Sequence, residues 1–202
     1  MTRSGLRAWV AASCAVACGL AGAADLVINV RDASGAPVAD AAIYAEPLTG
    51  AAPAPRANLR AQIDQVQKEF VPRVSIVQVG TSIHFPNSDN IRHSIYSFSP
   101  AKTFTTKLYS GREAPPVVFD RSGIVVLGCN IHDTMVAWLV IVDTPWFAKS
   151  GPDGVGTLKN LPTGNYRITA TAPAANLAAR SLDVAVDGAA TQRRTVELAP
   201  GS

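Results

Sequence analysis

The chain predicts an all-β protein made of small sandwiches, and three observations carry that expectation. Short apolar or alternating runs recur at roughly ten-residue intervals, separated by Gly, Pro, Asn, Asp and Ser. The only helix candidate covers residues 58–68, where Gln62, Asp64, Gln65 and Gln67 leave little apolar face. Beyond the N-terminal segment, roughly 180 residues remain, enough for one large or two small domains with real cores.

Residues 1–23 have the form of a secretory signal. Arg3 and Arg7 precede an apolar run from Ala8 to Leu20, and Ala21-Gly22-Ala23 supplies small residues before Ala24. The run is too short, and too rich in Ala and Gly, for a membrane span. Periplasmic or secreted localisation is the expectation. Taking Arg3 and Arg7 from the 18 basic residues leaves 16 against 15 acidic ones, a charge of about +1. Neither that balance nor any Lys/Arg cluster points to nucleic acid.

After the signal, residues 26–31 read as a strand, followed by an Asp32-to-Val38 turn with Gly35 and Pro37. Residues 24–50 form a first outer segment, and 51–59, with Pro53 and Pro55 among alanines, a linker. The central block, 60–147, carries strands expected at 74–79, 93–98, 123–127 and 136–142. A second break at Ser150-Gly-Pro-Asp-Gly154 leads into an outer segment at 150–200, with its clearest strand at 166–170. Neither outer segment holds enough strands to bury a core alone, which favours one sandwich built from both, with the central block inserted, over two tandem domains with an extra N-terminal hairpin.

The chemistry is concentrated in Cys129-Asn-Ile-His132-Asp-Thr-Met135. The chain has three Cys and two Met, and Cys14, Cys18 and Met1 all fall in the signal. The remaining Cys and Met therefore sit six positions apart with a His between them. A thiolate, an imidazole and a thioether form a soft donor set that suits copper better than calcium or magnesium. Exported chains normally pair their cysteines, so a lone one is an exposed thiol, an intermolecular bridge or a ligand. Its neighbours favour a ligand. His93 is the candidate fourth donor, giving the His₂Cys core with a weak axial Met of blue-copper sites. His84 alternates with Ile83 and Phe85 and reads as an ordinary strand residue; Trp138, Trp146 and Phe147 read as packing or hinge residues.

Two resemblances sharpen these expectations. The Asp32-to-Val38 turn and the Leu161-Pro-Thr-Gly-Asn-Tyr166 turn resemble the carboxypeptidase-regulatory or transthyretin-like sandwich, an Ig-like fold. Ile63 to Pro72, Gly80 to Phe98 and Leu127 to Met135 resemble cupredoxins of the plastocyanin and amicyanin group, including exported bacterial methylamine utilization or plastocyanin-like proteins. That resemblance implies a Greek-key β-sandwich with one type 1 copper, Cu(I)/Cu(II), held by His93, Cys129, His132 and Met135. In such proteins Pro usually precedes the loop His. Here Ile131 retains an N–H that is expected to reach the Cys129 sulfur. Ser94 stands where Asn is frequent, and its hydroxyl or N–H is expected to link the ligand loops.

The function implied is that of a non-enzymatic one-electron carrier passing electrons through the edge of His132 to a docked redox protein, a dehydrogenase or a cytochrome. The alternatives are copper delivery, storage or sensing, and a structural or interaction module with a bound metal. Too few His residues remain for a second copper cluster of the kind oxidase chemistry needs.

Overall fold

The computed structural model describes residues 22–111, 114–188 and 190–201. The signal expected over 1–23, apart from its last two residues, lies outside these, as do Cys14 and Cys18. The described residues form strands throughout, with one short 3₁₀ turn at Pro173–Ala175. No described helix is long and apolar enough to cross a membrane.

The outer part begins with β1 (Ala23–Asp32) and β2 (Ala42–Pro47). It resumes with β13 (Phe147–Lys149), β14 (Val155–Pro162), β15 (Gly164–Ala172), β16 (Leu177–Val186) and β17 (Gln192–Leu198). Strand β1 lies between β14, antiparallel, and β17, parallel, while a second sheet runs β13-β2-β15-β16. One core draws on both ends of the chain, with Ile28, Val30 and Ile43 packed among Leu158, Ile168 and Leu198. Ser150 fastens the second break to the first segment, receiving the Ala41 N–H at 2.8 Å and donating to the Val38 carbonyl at 2.7 Å. Gly154 has φ +76°, and a Cβ there would lie 2.6 Å from the Val30 carbonyl oxygen, so only glycine suits this close approach.

The central part contains β3 (Arg60–Gln62), β4 (Asp64–Val66), β5 (Glu69–Val71), β6 (Val74–Gln78) and β7 (Thr81–His84). It continues with β8 (Ile95–Ser99), β9 (Lys102–Thr105), β10 (Val117–Phe119), β11 (Gly123–Cys129) and β12 (His132–Val142). A five-stranded sheet, β6-β12-β11-β8-β9, and a three-stranded sheet, β10-β7-β3, supply one core that includes Ile83, Phe85, Ile95, Phe119, Leu127 and Leu139. The pair β4-β5 forms a separate hairpin.

The helix candidate at 58–68 is strand and turn instead. Ile63 and Gln65 are fully buried two positions apart, the period of a strand. Gln67 and Lys68 both have positive φ and form the two-residue turn of the β4–β5 hairpin. A carboxylate from outside the hairpin, Asp89, receives both of their N–H groups, at 2.6 and 2.9 Å. That contact offsets the unfavourable backbone conformation of two non-glycine residues.

Strand β12 shows why residues 136–142 read as a nearly unbroken apolar run. Leu139 and Ile141 enter the central core, while Val140 and Val142 join Ala42, Tyr44, Ile76 and Phe147 in a small cluster between the central and outer sheets. Both faces of the strand are covered, so alternation disappears from the sequence.

Candidate metal centre

Three chain segments meet at one end of the five-stranded sheet. His93 precedes β8 and is tied to Tyr109 by two backbone hydrogen bonds, His93 N–H to the Tyr109 carbonyl at 3.0 Å and the reverse at 2.9 Å. Cys129 ends β11 and pairs with Ile95 of β8, which sets it beside the residue two positions beyond His93. A two-residue connection, Asn130-Ile131, returns the chain to His132, the first residue of β12, directly opposite Cys129.

The next register pair is Gly128 with Val136, so Asp133, Thr134 and Met135 have no partners on β11. This wide bulge ends in Met135, which is buried to 1% exposure in the same core cluster as Cys129. Bulges of this kind re-aim side chains at sheet ends. Here the bulge separates the polar Asp133-Thr134 from the inward-turned Met135.

The ligand atoms of His93, Cys129 and His132 all lie within 4.8 Å of one another. His93 Nδ1 stands 3.7 Å from Cys129 Sγ, and the two imidazole centroids are 5.1 Å apart. His93 and Cys129 are almost wholly buried, and Cys129 is a free thiol. His132 is half-buried, yet its Nδ1 is fully buried and has no hydrogen-bond partner. An unpaired buried nitrogen is costly. On a ring grouped with a thiol and a second imidazole, it fits a coordinating atom. Two imidazoles and a thiolate are the equatorial donors of a type 1 copper centre.

Asp89 is the site residue that sequence reading missed. Its Oδ2 lies 2.7 Å from His93 Nε2, the ring nitrogen away from Cys129. Burial pushes the Asp89 carboxyl up, but the Lys68 N–H, the His93 ring and the Gln67 N–H together outweigh it and hold the carboxyl below its usual range. The ionised form is therefore the one the fold stabilises. That contribution is present above the ordinary Asp value and fades as pH falls through the lowered one. One carboxylate thus fastens the β4–β5 turn and fixes the orientation of His93, leaving Nδ1 turned toward the cluster. The sequence held a signal, a carboxylate four residues before the candidate ligand. Asn87 stiffens the same loop, its amide donating to the carbonyls of Ile91 and Tyr109 at 3.0 and 2.9 Å.

Of the two groups of Ser94 expected to link the ligand loops, the hydroxyl is buried without a partner and makes no link; the Cys129–Ile95 pairing joins the loops. Ile131 sits at the hairpin tip with its side chain 49% exposed. His84 lies outside the cluster. Gly128 lies beneath Tyr96, whose ring would be 2.6 Å from a Cβ at that position.

No family model matches the chain, and no curated protein matches it. Similar solved structures include the copper-containing nitrite reductase from Thermus scotoductus SA-01, at 24% identity and TM-score 0.40, over 48% of this chain and 25% of that one. A reduced amicyanin variant is 15% identical with TM-score 0.39, over 49% of this chain and 99% of amicyanin. The purple cupredoxin from Nitrosopumilus maritimus is 20% identical with TM-score 0.36, over 42% of this chain and 100% of that one. This chain therefore spans about a quarter of the nitrite reductase. On the chain's own geometry, the donors at this end of an eight-stranded sandwich fit a type 1 copper site.

Proposed function

We propose that this protein is an exported, periplasmic or secreted, cupredoxin that acts as a one-electron carrier and not as an enzyme. One copper would be held by His93, Cys129 and His132, with Met135 as the weak axial donor. Bound there, copper supplies a one-electron cycle between Cu(I) and Cu(II). The observation that carries the reading is the convergence of a buried thiol and two imidazoles within 4.8 Å. The near-complete burial of His93 and Cys129 favours a resident metal over copper delivery, which needs open, exchangeable donors. The partly exposed ring of His132 gives a redox partner protein, such as a cytochrome or a dehydrogenase, a place to dock.

Reversible one-electron voltammetry tests the carrier role, and Met135 variants test its ligand set. Met135→Gln offers a harder oxygen that favours Cu(II), so the potential falls while colour and one-copper stoichiometry persist. Met135→Leu removes the donor and raises the potential. Unchanged potentials in both variants would make Met135 a plain core residue.

Asp89 supplies a separate test. Asp89→Asn keeps the side-chain size but weakens the charged contact to His93 and to the β4–β5 turn. Copper affinity is expected to fall about 10–100-fold, as for other groups that orient a ligand imidazole. Competition with a copper chelator measures it. Wild-type affinity in this variant would show that His93 is oriented by packing alone.

A further inference from the structure

A cavity of about 430 Å³ opens at the end of the central sandwich opposite the metal centre, where the central and outer sheets meet. It is lined by Arg56 and Arg60 together with Leu59, Ile76, Phe147 and Gln78. Ile76 and Phe147 also pack against the cluster that joins the two sets of sheets. Gln78 pairs with Val142, at the far end of β12 from His132, so the cavity lies about 30 Å along that strand from the donor cluster.

Two features mark the cavity as a binding site. Among the described residues, neither Arg56 nor Arg60 makes an ion pair, and both are exposed. Gln78 is only 5% exposed, and its buried Nε2 has no hydrogen-bond partner. An unpaired buried amide donor is costly unless a partner arrives. Two guanidinium groups and an amide therefore line the cavity together with aliphatic and aromatic walls. That combination selects an anion with an apolar body, and the volume is in the range of small-molecule sites. Guanidinium groups suit carboxylates through paired N–H contacts.

We propose that this cavity binds a small amphipathic carboxylate, with the anion held by Arg56, Arg60 and Gln78 and the apolar body against Leu59, Ile76 and Phe147. Because the walls come from both the central part and β13, an occupant also braces the junction between the two sets of sheets. The site is independent of the copper reading.

Isothermal titration of the copper-loaded protein with 3-phenylpropionate tests it, beside 3-phenylpropylamine and inorganic phosphate as controls. Saturable one-to-one binding is expected for the carboxylate, none for the amine, and at least about tenfold weaker binding for phosphate. Arg60→Gln should weaken carboxylate binding about tenfold, the loss of one charge-assisted hydrogen bond. Gln78→Leu should weaken it several-fold, with far-UV circular dichroism and thermal melting showing that both variants remain folded. Absence of saturable carboxylate binding, equal binding of the amine, or wild-type affinity in both folded variants would overturn the proposal. Phosphate binding as tight as the carboxylate would overturn the amphipathic class. None of these outcomes bears on the metal centre, which the visible spectrum reports separately.

Discussion

Cys129→Ser should abolish the visible colour of the copper-loaded, oxidised protein while leaving a folded β protein. The thiol is 2% exposed at the end of β11, and it is the free cysteine among the described residues. Among the donors gathered here, only the thiolate donates charge to Cu(II) strongly enough for intense visible absorption; a serine hydroxyl does not. The hydroxyl nearly matches the thiol in size, so the Cys129–Ile95 and Cys129–His132 pairings survive. The structural cost is placing a hydroxyl in an apolar setting, about 1–3 kcal/mol. Absorption spectroscopy reads the loss of colour, and circular dichroism with thermal melting reads the fold. Retained colour in this variant would remove Cys129 from the ligand set.

Truncation after residue 150 should unfold the first outer segment. It removes both neighbours of β1, namely β14 and β17, and also β15 beside β2. Ile28, Val30 and Ile43, each fully buried, would lose the side chains of Leu158, Leu161, Ile168, Val196 and Leu198. At about 1.5–3 kcal/mol per buried aliphatic side chain, these losses reach the whole stability of an ordinary domain. The central sheets keep their own core around Phe85, Phe119 and Leu127, so copper binding is expected to persist in the truncated protein. Hydrogen exchange resolved by segment measures both parts. Undiminished protection of residues 26–31 after truncation would show that the first segment does not depend on the second.

The strands most legible in the sequence were those with dense apolar runs between turn residues. Residues 26–31 and 166–170 form β1 and β15, each with three consecutive buried positions, 26–28 and 168–170. Residues 58–68 misled because their pattern is set by contacts distant in the chain. Gln65 is buried through its amide, which donates to the Pro86 carbonyl at 2.9 Å, and composition alone marks it as exposed. The same holds for Gln67 and Lys68, whose positive φ depends on Asp89, more than twenty residues away in sequence.

Within the site, the short Cys129-to-His132 connection was legible because two residues between paired strands leave little freedom. His93 was legible from its residue type and surroundings, and the fold brings it to Cys129 through β8. The role of Asp89 was legible only in its spacing from His93, since its other partners are two backbone amides, and amides leave no trace in a sequence. Ser94 shows the converse. Its type and position suggested a link through the hydroxyl or the N–H, and the hydroxyl is buried without a partner.

The visible absorption spectrum of the purified, oxidised wild-type protein, recorded with its copper stoichiometry, tests the central claim most directly. One copper per chain with an intense blue colour is the expected result, arising from the Cys129 thiolate beside His93 and His132. A protein that binds one equivalent of Cu(II) and stays colourless would contradict it, because the thiolate would then not be a ligand.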